Sequence, residues 1–456
     1  MLDFKRILKS TQLLLNFALG RTNNVESDRG FDREFYLSAY PDVARAKVNP
    51  FRHFLNHGRA EGRIGKLEFH GELGGQKTDQ TKRTILVAVH ELSMTGAPIL
   101  GYNLVTGLHQ DFNIVGLSLK SGPLKPDFAK YCVHVYVPRT YDDRDGASLS
   151  LEQIIDEQRV CAAVLNSVET EPVTHAAKKV NLPIVGLIHE FLSYVPVEKM
   201  QRFANSAQYL VFSSKLTKQA AAKRIIFPVA DRVLILPQGQ CKFPDVVRLG
   251  DASILRSLLS DAKKSGKFVC IGCGTVHDRK GVDLFVDAAA AVMRMGGNLK
   301  FQFIWIGDGY EPSKLRSYSR KLQTKIRKSK LGDDFRLIES VNSGDLADAY
   351  NKADCFFLSS RLDPLPNVCI DALSAGLPVI CFRHTTGIAE YLDDTKEGRE
   401  LVVEQVDTNL AAQAIFNLSA DARRLASTRK SMKRIARSFN MERYIESISK
   451  LLERCI

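Results

Sequence analysis

Short apolar runs recur along the chain from Thr84 onward, and stretches of helical length with polar faces separate them. Uninterrupted apolar runs of this kind are typical of strands that are buried on both faces of a parallel sheet. Strands that alternate with helices predict parallel sheets with helices on both sides. The runs predict two such sheets, one from 84–89, 114–117, 134–137, 162–165, 184–188, 210–212 and 233–236, and one from 268–271, 301–306, 335–338, 355–358 and 379–382.

The chain before Thr84 has a different pattern. Aromatic residues with helical spacing predict a small helical module, and its clearest helix opens at Asn49-Pro50 and ends at Gly58. His53 and His57 lie four residues apart and could share a metal, but they lack a Cys or acidic partner, which favours a structural role. Residues 67–82 are polar and rich in Gly and Lys, so we expect a linker there.

These patterns predict the domain organisation. We expect a basic amphipathic helix over 1–25, a helical module over 30–66, a first domain over 83–245 and a second domain over 246–435. The remaining segment, 436–456, is expected to be a helix that crosses back to the first domain.

The segment Leu2–Leu19 mixes Lys and Arg with large apolar residues, a pattern suited to a membrane interface. A helix packed on the protein, or a frayed terminus, would show the same pattern, so both interpretations remain open. The chain has 64 Lys and Arg against 51 Asp and Glu, a net charge of +13 that fits an anionic surface or a phosphorylated substrate. Nucleic acid is not expected as a partner, because no motif that reads bases accompanies the charge.

Cysteine usage predicts a reducing cytoplasm. The nine Cys lie mostly in apolar stretches, and Cys270 and Cys273 form a C-x2-C without the second ligand pair of a zinc site. Asp143-Arg144-Asp145 fits the D-x-D of some metal-dependent transferases, but its polar surroundings favour a surface loop. We therefore expect no metal.

The acids around 363–371 are the strongest candidates for chemistry. Asp363 lies in the loop after an apolar run, and a helix that starts near Pro366 would put Asn367 and Asp371 on one face. The N-terminus of a helix favours an anion such as phosphate, and nearby carboxylates can hold sugar or ribose hydroxyls. An ordinary strand-helix-strand unit with a solvated acid is the alternative.

A second candidate is the pair Arg279-Lys280, which directly precedes a helix whose apolar face begins at Val282 and which ends at Gly296. Two cations before a helix N-terminus suit a diphosphate, and a solvated basic turn is the alternative. His189 ends an apolar run and Gly96 lies in the loop after another, both at expected carboxyl ends of strands. Taken alone, His189 could equally be a core histidine, and Gly96 part of a simple turn.

The segment from Asp363 to Val379 resembles the donor-binding signature of the family-four retaining glycosyltransferases of the GT-B fold, in which two Glu are separated by seven residues. Here both acids are Asp, at Asp363 and Asp371, and Leu365-Pro366-Asn367-Val368 matches well. The loop that ends at Lys280 is similar to the family's G-R-L-x-x-x-K-G, with Thr275 in place of its Arg. The module after Phe31 resembles one found in some bacterial cell-surface polysaccharide proteins.

The resemblance implies a GT-B fold, with two Rossmann-like domains facing across a cleft plus the N-terminal helical extension. It implies that Asp363 contacts the donor sugar, Asp371 the ribose, and Lys280 the diphosphate, with Arg279 supplying the charge missing at Thr275. It also implies that His189 orients the sugar, so that His189, Lys280 and Asp363 would be catalytic. The remaining donor-binding residues would be Gly96, Leu365, Asn367, Val368 and Gly387.

We therefore expect a retaining, metal-independent glycosyltransferase that uses a nucleotide-diphosphate sugar as co-substrate and needs no further cofactor. A lipid-linked or oligosaccharide acceptor in cell-surface polysaccharide synthesis fits the resemblance, as does a cytoplasmic protein held at the inner-membrane surface. The alternative is a catalytically degenerate GT-B subunit that acts in assembly or membrane binding. Its support is the replacement of both Glu by Asp, together with Thr275.

Overall fold

The computed structural model describes residues 31–61, 63–138, 148–191, 193–244, 252–314 and 317–456. The predicted helix over 1–25 and the Asp143–Asp145 motif lie outside these ranges. None of the helices in the described part of the chain is both long enough and apolar enough to span a bilayer.

The N-terminal module consists of three short helices around an aromatic core. They are α1 (Arg33–Ala39), α2 (Pro41–Ala46) and α3 (Pro50–His53), which continues as a π-helical turn over Phe54–Gly58. The Asn49 side chain caps α3 by accepting the Arg52 N–H at 2.9 Å, so the predicted start at Asn49-Pro50 and end at Gly58 are confirmed. His53 Nδ1 lies 3.1 Å from the Tyr36 hydroxyl inside the module.

The first sheet has nine strands in the order β5-β1-β4-β3-β2-β6-β7-β8-β9. All neighbours are parallel except β1, which runs antiparallel to β4 and β5. The strands are β1 (Glu68–Leu73), β2 (Thr84–Val89), β3 (Asn113–Ser118), β4 (His134–Pro138), β5 (Leu149–Ser150), β6 (Val160–Asn166), β7 (Ile184–Ile188), β8 (Tyr209–Phe212) and β9 (Val233–Ile235).

The prediction of a linker over 67–82 is wrong for β1, and this sheet therefore begins before residue 83. Only Phe69 of β1 is buried, and the rest of the strand is partly or fully exposed. A strand with one buried residue has no apolar run, so the sequence pattern missed it.

Helices cover both faces of the first sheet and form two separate cores. The last helix of the chain belongs to one of them, because Tyr444, Ile448 and Leu452 are buried against the first sheet. The helices are α4 (Gly96–Leu108), α5 (Lys125–Ala129), α6 (Leu151–Glu157), α7 (Glu171–Lys179), α8 (Val197–Ser206), α9 (Lys215–Ala222) and, at the end of the chain, α19 (Met441–Cys455).

The second sheet is fully parallel, in the order β12-β11-β10-β13-β14-β15. Its strands are β10 (Phe268–Cys273), β11 (Phe301–Ile306), β12 (Phe335–Ile338), β13 (Cys355–Leu358), β14 (Val379–Phe382) and β15 (Val402–Val403). Its helices are α10 (Ser253–Lys264), α11 (Val282–Met295), α12 (Tyr318–Ser329), α13 (Ser343–Lys352), α14 (Asn367–Ser374), α15 (Ile388–Leu392), α16 (Lys396–Arg399), α17 (Thr408–Ala420) and α18 (Ala422–Ala436). The predicted alternation of strands and helices is confirmed.

The strand order fixes where a ligand can bind. It reverses between β10 and β13 in the second sheet and between β2 and β6 in the first. In open parallel sheets, ligands bind beyond the carboxyl ends of strands at such reversals. The two reversals meet across a cleft, because the Asn367 side chain of the second domain donates to the Gly96 carbonyl of the first at 3.4 Å.

Candidate functional site

Asp363, in the loop after β13, is the centre of a buried charge cluster. Its carboxylate pairs with Lys280 Nζ at 2.5 Å and Arg279 Nη1 at 3.5 Å, and it accepts the Ser360 hydroxyl at 3.2 Å. Burial raises the pKa of Asp363, but the charges of Lys280 and Arg279 outweigh burial and hold the pKa below its usual value. The structure thus brings three predicted site residues together as an ionised cluster.

The turn before α11 places Lys280 beside Asp363. Gly281 caps α11 with φ 66° and ψ 35°, a left-handed conformation, and a Cβ there would lie 2.0 Å from the Ser359 carbonyl oxygen. Arg361 joins the same two loops, since its N–H donates to the Arg279 carbonyl at 2.8 Å and its guanidinium pairs with Asp283 at 2.7 Å. The backbone therefore holds the Lys280 side chain close to the Asp363 carboxylate.

The N-terminus of α14 lies beside this cluster. Pro366 is the N-cap rather than the predicted first residue of the helix, which starts one position later at Asn367. The N–H groups of Asn367 and Val368 have no preceding helical carbonyl to bond, so they suit an anion. Leu365 is buried at 5% exposure and anchors the loop.

The pKa of Asp371, one turn into α14, is shifted in the opposite direction from that of Asp363. Burial raises its pKa to about 7, although Gln240 Nε2 donates to its carboxylate at 3.0 Å. Asp371 also lines a cavity of about 420 Å³ together with Gln240, Val341, Ser343, Leu346 and Tyr350. The sequence pattern did not mark Gln240, because it lies in the polar segment that connects the domains.

The Gly387 amide, which the resemblance assigns to donor binding, has a protein partner. It donates to the Pro364 carbonyl at 2.7 Å, and the preceding turn accepts the Asp363 N–H at the Thr385 carbonyl, 2.8 Å away. A Cβ on Gly387 would lie 2.4 Å from the Ser214 Cβ of the first domain. In this structure Gly387 therefore serves the Asp363 loop and the contact between the domains.

His189 follows β7 directly, at the edge of the cleft. Asn166 donates its Nδ2 to the Ala97 carbonyl at 2.7 Å, so its Oδ1 must face His189 Nε2, 2.9 Å away. His189 Nε2 therefore carries the proton, and Nδ1 keeps a lone pair that can accept a hydrogen bond. Burial, and then the nearby His90, lower the pKa of His189 to about 4, which keeps the ring neutral at pH 7.

Sequence reasoning missed the polar group that supports His189. Glu190 accepts the Ser167 hydroxyl, the His189 N–H at 3.0 Å and the Val168 N–H at 3.3 Å. Ser167 has φ 107° and ψ 144°, a conformation that non-glycine residues adopt at a cost. The available signal was that Asn166-Ser167 and His189-Glu190 each end an apolar run, so their side chains meet at one edge of the sheet.

Among the described residues there is no group of three or more His, Cys, Asp or Glu that could hold a metal ion. Lys280 and Arg279 supply the positive charges beside Asp363.

Residues 266–421 match the family described as Glycosyl transferases group 1, which covers the second domain and its charge cluster. A curated protein, mannosylfructose-phosphate synthase of Agrobacterium fabrum, is 25% identical over 116 residues. That match spans 25% of this chain and 25% of the length of the synthase.

Solved structures match both domains. Anabaena Alr3699/HepE in complex with UDP and glucose superposes with a TM-score of 0.66 over 82% of this chain and 100% of that one, at 15% identity. The chain has the GT-B fold. Sucrose-phosphate synthase from Thermosynechococcus elongatus gives a TM-score of 0.63 at 17% identity, over 82% of this chain and 99% of the synthase. The GT-B fold and the group 1 match together support a GT-B glycosyltransferase.

Proposed function

We propose that this protein is a retaining, metal-independent glycosyltransferase that takes a sugar from a nucleotide-diphosphate sugar. The observation that carries the proposal is the ionised cluster of Lys280, Arg279 and Asp363 beside the N-terminus of α14. Two cations and a helix N-terminus suit a diphosphate, and a buried carboxylate between them suits a sugar hydroxyl. The similar Anabaena protein, whose structure was solved in complex with UDP and glucose, supports a donor of this class.

We assign each part of the donor to a group of residues around the N-terminal half of α14. The diphosphate would lie between Lys280, Arg279 and the N–H groups of Asn367 and Val368. Asp363 would accept hydroxyls of the transferred sugar, and Asp371 those of the ribose. The cavity of about 420 Å³ beside Asp371 would take the base.

In the reaction, the bond between the anomeric carbon and the diphosphate oxygen breaks as the acceptor oxygen bonds to that carbon. The acceptor would attack from the face that the diphosphate leaves, so the configuration is kept and the hydroxyl proton passes to the departing phosphate oxygen. Lys280 and Arg279 would stabilise the charge that develops on the leaving group, in place of a metal ion. His189 would accept a hydrogen bond from the donor sugar at Nδ1 and so orient it.

For the acceptor we propose a lipid-linked or oligosaccharide substrate in cell-surface polysaccharide synthesis, with the protein in the cytoplasm at the membrane face. The N-terminal module and the net charge of +13 support this choice. Turnover of a polyprenyl-pyrophosphate sugar and of a free oligosaccharide, each with and without anionic vesicles, would distinguish the two acceptor classes. A rate that vesicles do not change with either acceptor would contradict a role at the membrane.

The test of the donor site is a panel of nucleotide sugars, screened by thermal shift and then by turnover, because a bound ligand stabilises the folded state. We expect one donor to raise the unfolding temperature, and Lys280→Ala to lower kcat about 10²- to 10³-fold. Lys352→Ala is the matched control, since Lys352 pairs with Asp348 at 2.7 Å on the outer surface of α13. Full turnover in Lys280→Ala would refute the assignment, and a panel without any bound donor would favour the degenerate subunit.

A further inference from the structure

The second domain caps a helix of the first domain. Glu390, in α15, accepts the Lys215 N–H at 3.0 Å and the Leu216 N–H at 2.6 Å. These two N–H groups open α9 and have no partner within their own helix. The Ser214 hydroxyl oxygen accepts the next N–H of the helix, that of Thr217, at 3.2 Å. The N-terminal cap of α9 is therefore shared between residues of two domains.

The contact between Glu390 and α9 is stabilised by charge. Glu390 faces the positive end of the α9 dipole and accepts two N–H groups, and hydrogen bonds to a carboxylate are stronger than neutral ones. Because Glu390 is only half-buried, water can replace these partners when the domains separate. Loss of these two hydrogen bonds would therefore leave the Glu390 carboxylate in contact with water rather than buried without a partner.

Gly387 allows the domains to come this close. Its φ of −71° and ψ of −14° are open to any residue, so backbone conformation does not demand a glycine. A glycine is needed for steric reasons, because a Cβ would lie 2.4 Å from the Ser214 Cβ and 2.8 Å from the Pro364 carbonyl oxygen. A side chain at this position would push the second domain away from α9.

The turn that carries Gly387 and Glu390 is bonded directly to the Asp363 loop. The Asp363 N–H donates to the Thr385 carbonyl at 2.8 Å, and the Gly387 N–H to the Pro364 carbonyl at 2.7 Å. On the other side of the cleft, α9 follows β8, which pairs with β7, the strand that ends before His189. Glu390 thus joins the Asp363 loop to a helix whose preceding strand pairs with the strand that ends before His189.

We propose that Glu390 and Gly387 form a latch across the cleft, and that Glu390 is a positioning residue that holds Asp363 and Lys280 against His189. The proposal rests on the proposed function, because it concerns the alignment of the same donor site with the first domain. It gives the Gly387–Glu390 turn a role in domain closure instead of contact with the donor.

The test compares Glu390→Ala, Glu390→Gln and Gly387→Ala in the full chain. Glu400→Ala is the control, because Glu400 pairs with Arg424 at 2.9 Å entirely within the second domain. For the donor found in the panel, we expect Glu390→Ala to lower kcat about 10- to 100-fold while the donor Kd changes less than about threefold. Glu390→Gln, which keeps one acceptor oxygen, should fall in between. Gly387→Ala should resemble Glu390→Ala.

A second readout needs no turnover. Hydrogen exchange should be faster at Lys215 and Leu216 in Glu390→Ala, and small-angle scattering should show a larger radius of gyration, with neither change in Glu400→Ala. Unchanged exchange and scattering, or an equal loss of donor affinity and kcat, would overturn the latch. If no nucleotide sugar is turned over, the proposed function fails and exchange and scattering alone decide on the latch.

Discussion

Asp363 and Asp371 lie eight positions apart, and their surroundings shift their pKa values in opposite directions. Asp363 is ionised because two cations outweigh its burial, whereas Asp371 has no such partner and its pKa rises to about 7. A buried carboxylate that ionises without a cationic partner lowers the free energy of unfolding. Asp371 is therefore a residue kept at the expense of stability.

Asp371→Asn should stabilise the protein, and more so at high pH. Since the folded pKa of Asp371 lies above its ordinary value of 3.8, the free energy of unfolding falls as pH rises from about 4 to 7, and the penalty is complete above pH 7. The asparagine removes this penalty and can still accept from Gln240. We expect an unfolding temperature about 2–5 °C above wild type at pH 8 and a smaller gain at pH 5.

Asp363→Asn is the control for that measurement, because we expect it to change the stability in the opposite direction. Its lowered pKa contributes stability above the ordinary pKa that is lost as pH falls, so its asparagine variant should be destabilised at pH 8. An Asp371→Asn gain that did not depend on pH would contradict the raised pKa.

His189 should contribute no pH dependence between pH 5 and 8. With its pKa at about 4, the ring stays neutral in that range, and Asn166 fixes the proton on Nε2. We expect His189→Ala to lower kcat about 10²-fold without altering the shape of the pH profile above pH 5. Asn166→Ala should also lower kcat, because the ring can then place its proton on Nδ1. A profile in which the wild type loses activity near pH 6.5 and His189→Ala does not would contradict this assignment.

At the element scale, the turn before α11 decides whether Lys280 reaches Asp363. Gly281→Ala should destabilise the protein by more than about 1 kcal/mol and reduce donor binding, because its Cβ would clash with the Ser359 carbonyl oxygen at 2.0 Å. Gly266→Ala, just after the end of α10, has a similar φ of 65° but nothing within 4 Å of its Cβ. Denaturant unfolding and donor titration of both variants would separate the cost of the positive φ, which both variants share, from the cost of the clash, which only Gly281→Ala has. Equal losses in the two variants would exclude the clash.

At the scale of the whole molecule, the last helix completes a core that begins more than three hundred residues earlier. Leu452 of α19 is fully buried in the first domain, whereas Leu418 of α17 is equally buried in the second. Each change to alanine should cost about 2–5 kcal/mol. Calorimetry with limited proteolysis should show Leu452→Ala opening the first domain and Leu418→Ala the second. If both variants opened the same domain, α19 would not belong to the first core.

The two sheets and most of their strand limits can be predicted from the amino-acid sequence, because buried parallel strands appear as apolar runs and need no partner to be recognised. It also determined the candidates Lys280, Asp363 and His189, since strand ends in such sheets meet at one edge. It did not show β1, whose single buried residue leaves no pattern.

The contacts that those candidates make depend on how the chain packs in three dimensions. Which side chain neutralises Asp363, why Asp371 is protonated more readily, and which nitrogen of His189 carries the proton all depend on groups far away in sequence. The contact of Glu390 with α9 joins residues 174 and 175 positions apart, and Gln240 reaches Asp371 across 131. Such pairs are set by how two domains pack, and the local periodicity that reveals strands and helices carries no information about them.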